Sequence, residues 1–507
     1  MAHDAAATRS RDSPLLLQVE EQAAEQHVRE SVDGLRENTP ALSAATTLSR
    51  PQRRLGAAVL LIVLLALVLR PAATGTVLAS GVTVVYAAAA TYRVLCFRRG
   101  IQAGSLLDIS DEQARAAPDR ALPHYTVLVP AYREPEVIGR LLESLEALEY
   151  PRDRLEVLVL LELDDDLTLR AVERAQPPDH VRVVLVPAHG PKTKPKACNY
   201  GLRLSRGSLV TIYDAEDRPE PLQLRRAAVA FGLLPAEVAC LQAQLTYFNT
   251  DQNRLTKWFT AEYVTWFEHF LPGLVSLRAP VPLGGTSNHM QVDVLLELGG
   301  WDPYNVTEDA DLGIRLHRAG YHTRVLRSVT LEEANSDAVN WLKQRSRWYK
   351  GYLQTLLVHL RSPRQLRREL GWRGLTGFLL FVGGTPVLAM LNPLFWSLSI
   401  LWLVAQPEWL ERLFPAPWYH LALASWLLGN AAMVYLGVLS MRIAHRDELV
   451  LSSLLAPAYW LLMAVAALKA AMQLVRKPSF WEKTTHGLDV LPAAVPRRRR
   501  APLPSAG

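Results

Sequence analysis

The sequence predicts an α/β domain inserted between transmembrane helices. Half of the 507 residues are hydrophobic and 21% are charged, but the charges are segregated along the chain. Asp, Glu, Lys and Arg are missing from five apolar stretches, 55–69, 71–92, 374–407, 413–441 and 449–468. Between the second and third stretches, extended apolar runs alternate with helical patterns, which is typical of an α/β sheet. This organisation excludes a purely cytosolic enzyme, a disordered protein and a disulfide-rich secreted scaffold.

Residues 1–50 are polar and mildly acidic, and we expect a cytoplasmic tail with a helical segment at 14–35. No apolar core precedes residue 55, so no cleavable signal peptide is expected. Residues 55–92 are predicted to form a transmembrane hairpin, although 55–69 is short for the roughly 20 residues that span a bilayer. Because arginines flank both ends of the hairpin, the positive-inside rule places both ends in the cytoplasm.

Residues 93–373 are predicted to be the soluble domain that carries the chemistry. Strands are expected at 125–129, 157–161, 181–186 and 209–213, with a helix at 136–148. The domain contains all three cysteines of the chain, and these are too few and too scattered for a disulfide framework or a zinc site.

The C-terminal part is predicted to return to the membrane. Within 374–440 we expect an interfacial helix at 375–390 and spans at 393–405 and 418–440. The stretch 449–468, within 441–475, is long enough to span, but the basic residues that follow it would then lie outside. An interfacial or re-entrant helix reconciles the hydropathy with the charges. The net charge of +6 therefore indicates an inner-leaflet membrane surface and not a nucleic-acid partner.

Three acidic residues, Asp214, Glu216 and Asp217, follow the end of an apolar strand. Ligands of open α/β sheets bind at the carboxyl ends of strands, and clustered carboxylates there suit a hard cation shared with substrate phosphates. The alternative is a solvated acidic turn that caps the helix beginning near Pro219.

A second acidic run, Thr307-Glu308-Asp309 followed by Asp311, opens a helical pattern. Thr307 suits an N-cap, and the acidic residues suit the positive end of the helix. An acidic helix start is compatible with a second role for Asp309, as a general base that projects into a cleft.

A third motif, Gln344-x-x-Arg347-Trp348, places an amide, a guanidinium and an indole on one helix face. Arg binds phosphate oxygens bidentately, and an aromatic ring offers an apolar face to a sugar. The alternative is an amphipathic helix that lies on the membrane surface.

Taken together, these motifs resemble those of the membrane-embedded family 2 glycosyltransferases, which include bacterial cellulose synthase and hyaluronan synthase. The similarity extends to Val129-Pro130-Ala131-Tyr132-Arg133-Glu134-Pro135 and to Lys196-Ala197-x-Asn199, and covers about residues 124–485. It implies a GT-A-like, Rossmann-type nucleotide-sugar domain in the cytoplasm. Residues 480–487, in the segment 476–507 that ends in a basic tail, resemble a mobile gating loop.

The resemblance also implies a role for each motif residue. Asp309 would be the catalytic base. The donor would bind to Tyr132, Glu134, Glu162, Asp164, Lys196, Asp214 and Arg347, and the acceptor to Gln344, Trp348, Gly285 and Thr286. Asp214 would hold Mg²⁺ or Mn²⁺ together with Glu216 or Asp217, because the family's Asp-x-Asp is here Asp214-Ala215-Glu216 and leaves the second ligand open. Either Glu162 or Asp164 would be the carboxylate that contacts the base of the nucleotide, and the choice between them is open.

The predicted function is an inverting hexosyltransferase of the inner membrane. It would move a sugar from a nucleotide diphosphate, with UDP favoured, to a growing polysaccharide or a lipid-linked acceptor in the bilayer. One alternative is the transfer of a single sugar to a lipid carrier. A transporter with a soluble regulatory domain is disfavoured because the apolar stretches lack the charges that ion-coupled pathways use. A catalytically dead scaffold is disfavoured by the joint presence of Asp214, Asp309 and Arg347.

Overall fold

A computed structural model of the chain describes residues 15–102, 104, 106–415, 418–478, 480 and 482. The first half contains helices α1 Glu21–Asn38, α2 Arg50–Leu69, α3 Pro71–Gly100, α4 Asp111–Ala116, α5 Ile138–Glu146, α6 Asp166–Ala175, α7 Lys194–Leu204, α8 Gln223–Leu233 and α9 Arg254–Thr265. The second half contains α10 Leu271–Ser276, α11 Val292–Glu297, α12 Glu308–Arg318, α13 Ala338–His359, α14 Pro363–Gly377, α15 Gly384–Ala405, α16 Glu408–Leu413, α17 Trp418–Ile443, α18 Val450–Leu454 and α19 Ala456–Arg476. Two π-helical turns, Trp266–Phe270 and Phe378–Gly383, lie between consecutive helices.

In the part of the chain that the structure describes, eight strands form one mixed sheet in the order β3-β2-β1-β4-β7-β6-β8-β5. They are β1 Tyr125–Ala131, β2 Leu155–Glu162, β3 Val181–Val186, β4 Leu209–Ile212, β5 Arg218–Pro219, β6 Val238–Tyr247, β7 Asn288–Gln291 and β8 His322–Glu332. The first four in this order are parallel, with Val127 of β1 opposite Val157 of β2 and Thr211 of β4. Strand β7 pairs antiparallel with both of its neighbours.

The parallel half of the sheet forms because its strands are apolar on both faces. Every residue of β1 is buried, as expected of a strand that helices cover on both sides. Since β1, β2 and β4 run in the same direction, their carboxyl ends meet at one edge, where polar side chains can converge.

The predicted α/β architecture is confirmed. All four strands expected from the sequence are present, and the expected helix at 136–148 corresponds to α5. Strands β5 to β8 extend the sheet beyond these four strands. Helix α12, between β7 and β8, carries the second motif, and helix α13, after β8, carries the third.

The segment that precedes the first apolar helix packs on this domain. Leu16 lies beside Val183 in a parallel bridge and so extends the sheet past β3. Helix α1 buries Val28, Val32 and Leu35, and the side-chain amide of Asn199 on α7 donates to the Ser31 carbonyl at 2.9 Å. This part of residues 1–50 is therefore an integral layer of the domain, whereas residues 1–14 lie outside the described part.

Within the described residues, five helical segments are long and apolar enough to cross a membrane: Arg50–Leu69, Pro71–Gly100, Pro363–Ala405, Trp418–Ile443 and Ala456–Arg476. The assignment of 375–390 as interfacial and of 393–405 as a span stays a prediction, but the helix does not break between the two segments. Helix α15 continues through Pro393, and the irregular backbone lies earlier, at Gly371 and in the turn Phe378–Gly383. Neighbouring groups can satisfy the backbone that a proline frees, so Pro is tolerated in such helices.

Helix α19 lies along α13 of the domain. Near the start of α19, the Tyr459 hydroxyl accepts from Trp341 Nε1 at 3.2 Å. Beyond its end, the Pro478 carbonyl accepts from Gln354 Nε2 at 3.1 Å, and the Phe480 carbonyl accepts from Lys350 Nζ. Both ends of α19 are thus held by the same helix of the domain.

Candidate active site

The carboxyl ends of β1, β2 and β4, the start of α12 and one face of α13 surround a cleft of about 490 Å³. Most of the residues that the motifs singled out line it: Tyr132, Glu134, Glu162, Asp214, Glu216, Gly285, Asp309, Gln344, Arg347 and Trp348. The fold therefore brings together motifs that lie more than two hundred residues apart in the chain.

Lys194, at the start of α7, connects the first acidic motif to Gly285. Its ammonium group forms an ion pair with Asp214 and donates to the Gly285 carbonyl at 2.7 Å. Burial lowers the pKa of Lys194, but the carboxylates of Asp214 and Glu308 outweigh it and hold the pKa above its ordinary value. This lysine stays charged and offsets the negative charge of Asp214.

Of the two candidates for the second metal ligand, Glu216 lines the cleft and Asp217 lies beneath it. Asp217 is buried, and its carboxylate accepts from the Asp214 amide at 2.7 Å and from the Thr286 hydroxyl. Asp217 and Thr286 thus stabilise the turn after β4. Thr286, predicted to contact the acceptor, is buried beside that turn, whereas its neighbour Gly285 lines the cleft.

The two candidates at the end of β2 also separate. Glu162 is buried and lines the cleft, whereas Asp164 is exposed and pairs with Lys192 at 2.6 Å. Lys196, predicted to bind donor, is fully buried and pairs with Glu162 at 2.9 Å. Burial raises the pKa of Glu162, and Lys196 opposes that rise. Lys196 therefore stabilises a carboxylate of the cleft wall without lining the cleft.

Asp309 lies in the first turn of α12, half-buried at the cleft wall. A Cβ atom added to Gly285 would lie 3.5 Å from Asp309 Oδ2, so the absent side chain leaves room beside this carboxylate. Burial raises the pKa of Asp309, and the Ala310 amide and the cations Lys194 and Arg347 oppose that rise. A carboxylate with a raised pKa, open to a cleft, has the properties of a general base.

Thr307 precedes the helix, but its side chain makes no capping hydrogen bond. Instead, Thr307 packs directly against α13, where a Cβ added to Gly351 would overlap its side chain. This close approach fixes the distance between the acidic turn and the helix that carries the third motif.

Helix α13 presents the third motif to the opposite wall of the cleft. The Arg347 guanidinium donates to the Val306 carbonyl at 3.3 Å, close to the acidic turn. The indole of Trp348 stacks near the ring of Tyr263, with centroids 6.3 Å apart, and also contacts Phe259. Gln344 accepts from Asn335 Nδ2 at 2.9 Å. The predicted shared face of Gln344, Arg347 and Trp348 is present.

Further lining residues were not singled out from the sequence. Arg345 is buried and makes two hydrogen bonds to Glu262, at 2.8 and 2.6 Å, and its guanidinium lies 4.7 Å from the centre of the Trp348 ring. Lys192, Glu332 and Glu333 line the cleft as well. Arg345 lies within the third motif and Lys194 within a basic, proline-rich loop, so both had a visible signal in the sequence.

The lining of the cleft is acidic overall. It includes nine carboxylates, Glu134, Glu162, Asp214, Glu216, Glu262, Glu308, Asp309, Glu332 and Glu333, against four cationic side chains, Lys192, Lys194, Arg345 and Arg347. No group of three His, Cys, Asp or Glu within the described residues is arranged to hold a metal ion by itself. Carboxylate oxygens from Asp214 and Glu216 nevertheless fit Mg²⁺ or Mn²⁺, which take few protein ligands when substrate phosphates supply the rest.

Comparison with known proteins agrees with this site. Residues 123–351 match the family described as "Glycosyltransferase like family 2". The "Probable glycosyltransferase YdaM" of Bacillus subtilis is 29% identical over 273 residues, which cover 52% of this chain and 64% of that protein. The "Beta-monoglucosyldiacylglycerol synthase" of Trichormus variabilis is 28% identical over 269 residues, which cover 52% of this chain and 55% of that protein.

Among solved structures, the mannosyltransferase PcManGT from Pyrobaculum calidifontis, in complex with GDP-Man and Mn²⁺, is 18% identical with a TM-score of 0.46. The match covers 78% of this chain and 99% of that one. The match to YdaM spans less than two thirds of that curated relative's length, and the match to the synthase about half. The family model and the curated relatives both match the part of the chain that forms the cleft, so residues 123–351 are similar to a glycosyltransferase domain of family 2.

Proposed function

We propose that this chain is a membrane-bound hexosyltransferase that moves a sugar from a nucleotide diphosphate to an acceptor at the membrane with inversion at the anomeric carbon. One observation carries the proposal. Asp214, Asp309 and Arg347, from three separate motifs, line one cleft of about 490 Å³. A cleft with a carboxylate for a cation, a base and a guanidinium has the groups that glycosyl transfer from a diphosphate requires.

On the donor side, Tyr132 and Glu134 would line the nucleotide pocket, and Asp214 with Glu216 would hold Mg²⁺ or Mn²⁺. The excess of carboxylates supports a cation, because an anionic diphosphate would otherwise be repelled. When bound, the cation supplies positive charge that stabilises the leaving diphosphate. Lys194 and Arg347 add fixed positive charge at the same place, and Arg347 can bind phosphate oxygens bidentately.

On the acceptor side, Asp309 takes the proton from an acceptor hydroxyl. The oxygen then forms a bond to the anomeric carbon from the face opposite the donor phosphate. The bond from that carbon to the diphosphate oxygen breaks, and the nucleoside diphosphate leaves with the electron pair. With one base and no carboxylate nucleophile in this scheme, a single displacement inverts the configuration. Trp348, backed by Tyr263 and Phe259, provides an apolar face for the acceptor.

The acceptor is proposed to be a lipid or a lipid-linked glycan. The curated relatives named for monoglucosyldiacylglycerol synthesis favour a lipid. The resemblance of Gln344-x-x-Arg347-Trp348 to the motif of cellulose and hyaluronan synthases favours a growing polysaccharide, which is the second candidate.

For the membrane topology, we propose four spans of the inner membrane, formed by α2, α3, the segment 378–405 and α17. The domain would lie on the cytoplasmic side. Helix α19 would lie in the interface. The contacts of α13 with both ends of α19 support this placement, because α13 belongs to the domain that we propose to be cytoplasmic. Phe480 and Glu482 are the described members of the gating-like segment 480–487, and its other residues lie outside the described part.

The proposal is tested with full-length protein in detergent or nanodiscs and a panel of UDP-, GDP- and TDP-sugars, with Mg²⁺, Mn²⁺ or chelator. We expect one donor to be turned over, with release of the nucleoside diphosphate and loss of turnover in excess chelator. Full activity in chelator would contradict the metal assignment, and no turnover of any donor with membrane lipid extract would contradict the activity.

A further inference from the structure

A second cavity, of about 260 Å³, lies among the apolar helices α3, α15, α17 and α19 and beside α9. We call it the membrane chamber. Most of its lining is apolar and includes Leu388, Met433, Leu436, Trp460 and Met463. Both π-helical turns contribute to it, through Trp266 and Phe381, and such turns are frequent at functional sites.

The membrane chamber adjoins the cleft. The two cavities share five lining residues, Glu262, Trp266, Arg345, Tyr349 and Thr385. A molecule in the chamber could therefore extend its polar end past Tyr349 and Trp348 towards Asp309, while its apolar part stays between the helices. This arrangement suits an amphipathic acceptor better than a free sugar.

Arg93 gives the membrane chamber its charge. Its guanidinium donates to Thr385 Oγ1 at 2.9 Å and lies 5.5 Å from the centre of the Phe381 ring. The other arginine of the lining, Arg345, is paired with Glu262. Among the described residues, no carboxylate forms an ion pair with Arg93, so the lining carries one uncompensated positive charge. Cations within membrane helices are costly and usually meet an anionic partner.

Uncharged polar groups add to the chamber wall. The Tyr86 hydroxyl donates to Asn392 Oδ1 at 2.9 Å and accepts from Asn430 Nδ2 at 3.1 Å. These side chains come from α3, α15 and α17, three of the helices that line the chamber. The wall therefore combines one cation and a few hydrogen-bonding groups with an apolar surface, which is how small-molecule sites are usually built.

We propose that the membrane chamber binds the acceptor as a phospholipid, with its phosphate held by Arg93 and a headgroup hydroxyl directed towards Asp309. Thr385 positions the Arg93 guanidinium, while its own hydroxyl donates to the Phe381 carbonyl at 2.6 Å. The alkyl chains would pack on the apolar lining. A guanidinium binds phosphate oxygens through two parallel hydrogen bonds, and phosphate supplies the charge that the lining lacks. The inference rests on the proposed function, whose acceptor it specifies: a lipid with a phosphate between its alkyl chains and the hydroxyl that is glycosylated. Neutral diacylglycerol lacks that phosphate.

The test is a binding measurement that does not depend on turnover. Full-length protein is titrated with short-chain phosphatidylglycerol or with diacylglycerol of the same chain length, and bound lipid is counted by native mass spectrometry. We expect preferential binding of phosphatidylglycerol, weakened about tenfold or more in Arg93→Gln, because a charge-assisted hydrogen bond is lost. Arg93→Lys keeps the charge without the planar fork and should give an intermediate affinity. Arg98→Gln, an exposed arginine of the same helix, is the matched control and should bind as wild type.

Equal binding of the two lipids, or unchanged binding by Arg93→Gln, would overturn the assignment of the phosphate site. Competition by glycerol phosphate alone, at the concentration at which the lipid saturates, would mean that the site recognises free phosphate and not a lipid. Melting temperatures of all variants show whether a loss of binding reflects unfolding. Donor turnover with membrane lipid extract is measured in parallel. Its absence would contradict the proposed function, whereas the comparison of lipid binding by wild type and Arg93→Gln decides the phosphate site independently.

Discussion

At the scale of single residues, Lys194 is the side chain on which the donor side depends most. Lys194→Met removes the cation that pairs with Asp214 and the donor to the Gly285 carbonyl. We expect the affinity for nucleotide diphosphate to fall by about tenfold or more, because the acidic cleft loses a fixed positive charge beside the phosphates. Titration of the variant with the nucleoside diphosphate in the presence of Mg²⁺ measures this.

The control for Lys194→Met is Lys257→Met. Lys257, on α9, pairs with the exposed Asp251 at 3.2 Å. The Lys257→Met variant should bind the nucleoside diphosphate with unchanged affinity. Equal affinities in both variants would remove Lys194 from the donor site.

The pH dependence of transfer follows from Asp309. Burial raises the pKa of this carboxyl above its ordinary value of about 3.9, and only the deprotonated form can accept a proton. The rate of transfer should therefore reach its maximum above the raised pKa and fall as the pH drops through it. The acidic limb of the kcat profile should accordingly lie above about pH 4. A rate of sugar transfer that stays flat down to pH 4, with the protein still folded by circular dichroism, would contradict a base with a raised pKa.

The sequence predicted the three motifs of the cleft well and their neighbours less well. Asp214, Asp309 and Arg347 all line the cleft as predicted, although their chemical roles remain predictions. Lys196 was selected where Lys194 lines the cleft, because residues two positions apart on a helix face nearly opposite directions and the start of α7 could not be fixed from sequence. The burial of Asp217 depends on Thr286, which is distant in the chain.

At the scale of elements, the contact between α12 and α13 sets the geometry of the cleft. Gly351→Ala would place a methyl group into the Thr307 side chain and push the acidic turn away from Arg347. Overpacking of this kind costs about 1–3 kcal/mol, so we expect a lower melting temperature together with reduced transfer.

Gly139→Ala is the matched control for Gly351→Ala. Gly139 lies within α5 of the same domain, and a Cβ there would meet nothing within 4 Å. Alanine in a helix interior is favoured over glycine by about 0.5–1 kcal/mol, so this variant should be neutral or slightly stabilised. Thermal unfolding gives the melting temperatures of both variants, and their difference tests the prediction. If Gly351→Ala melts as high as Gly139→Ala, the close packing of α13 on Thr307 is not a constraint.

The elements with a strong local pattern were the most predictable. The parallel strands were visible because burial on both faces makes them continuously apolar. The position of residues 15–49 was not predictable, because a polar segment with a few apolar residues gives no indication of the surface that covers them. The break near Pro393 was misplaced because neighbouring helices, which a local pattern does not include, allow a proline to stay helical.

At the scale of the whole molecule, the proposed topology predicts which surfaces face the cytoplasm. All three native cysteines are buried, so single exposed cysteines can be introduced and labelled with a membrane-impermeant maleimide in intact cells. We expect Glu408→Cys, between α15 and α17, to react from outside. Lys477→Cys, after α19, should react only after permeabilisation, as should Arg152→Cys in the domain. External labelling of Lys477→Cys would mean that α19 spans the membrane.

The order of two apolar helices, an α/β domain and further apolar helices followed directly from the segregation of charge in the sequence. The side of the bilayer and the identities of donor and acceptor remain predictions. The composition of a segment shows how apolar it is but not which side of the bilayer its ends face. Selectivity for one nucleotide sugar over another depends on a few contacts, and no residue type by itself specifies them.

The proposed mechanism as a whole depends on Asp309 as the base, and Asp309→Asn tests it most directly. The substitution keeps the size of the side chain but removes its basicity. With the donor found in the panel, sugar transfer should fall by at least about 100-fold while donor affinity stays near that of wild type. Asp293→Asn, at an exposed position of α11, should transfer normally. Near-normal transfer by Asp309→Asn would contradict the mechanism and leave Thr307-Glu308-Asp309 as the ordinary start of a helix.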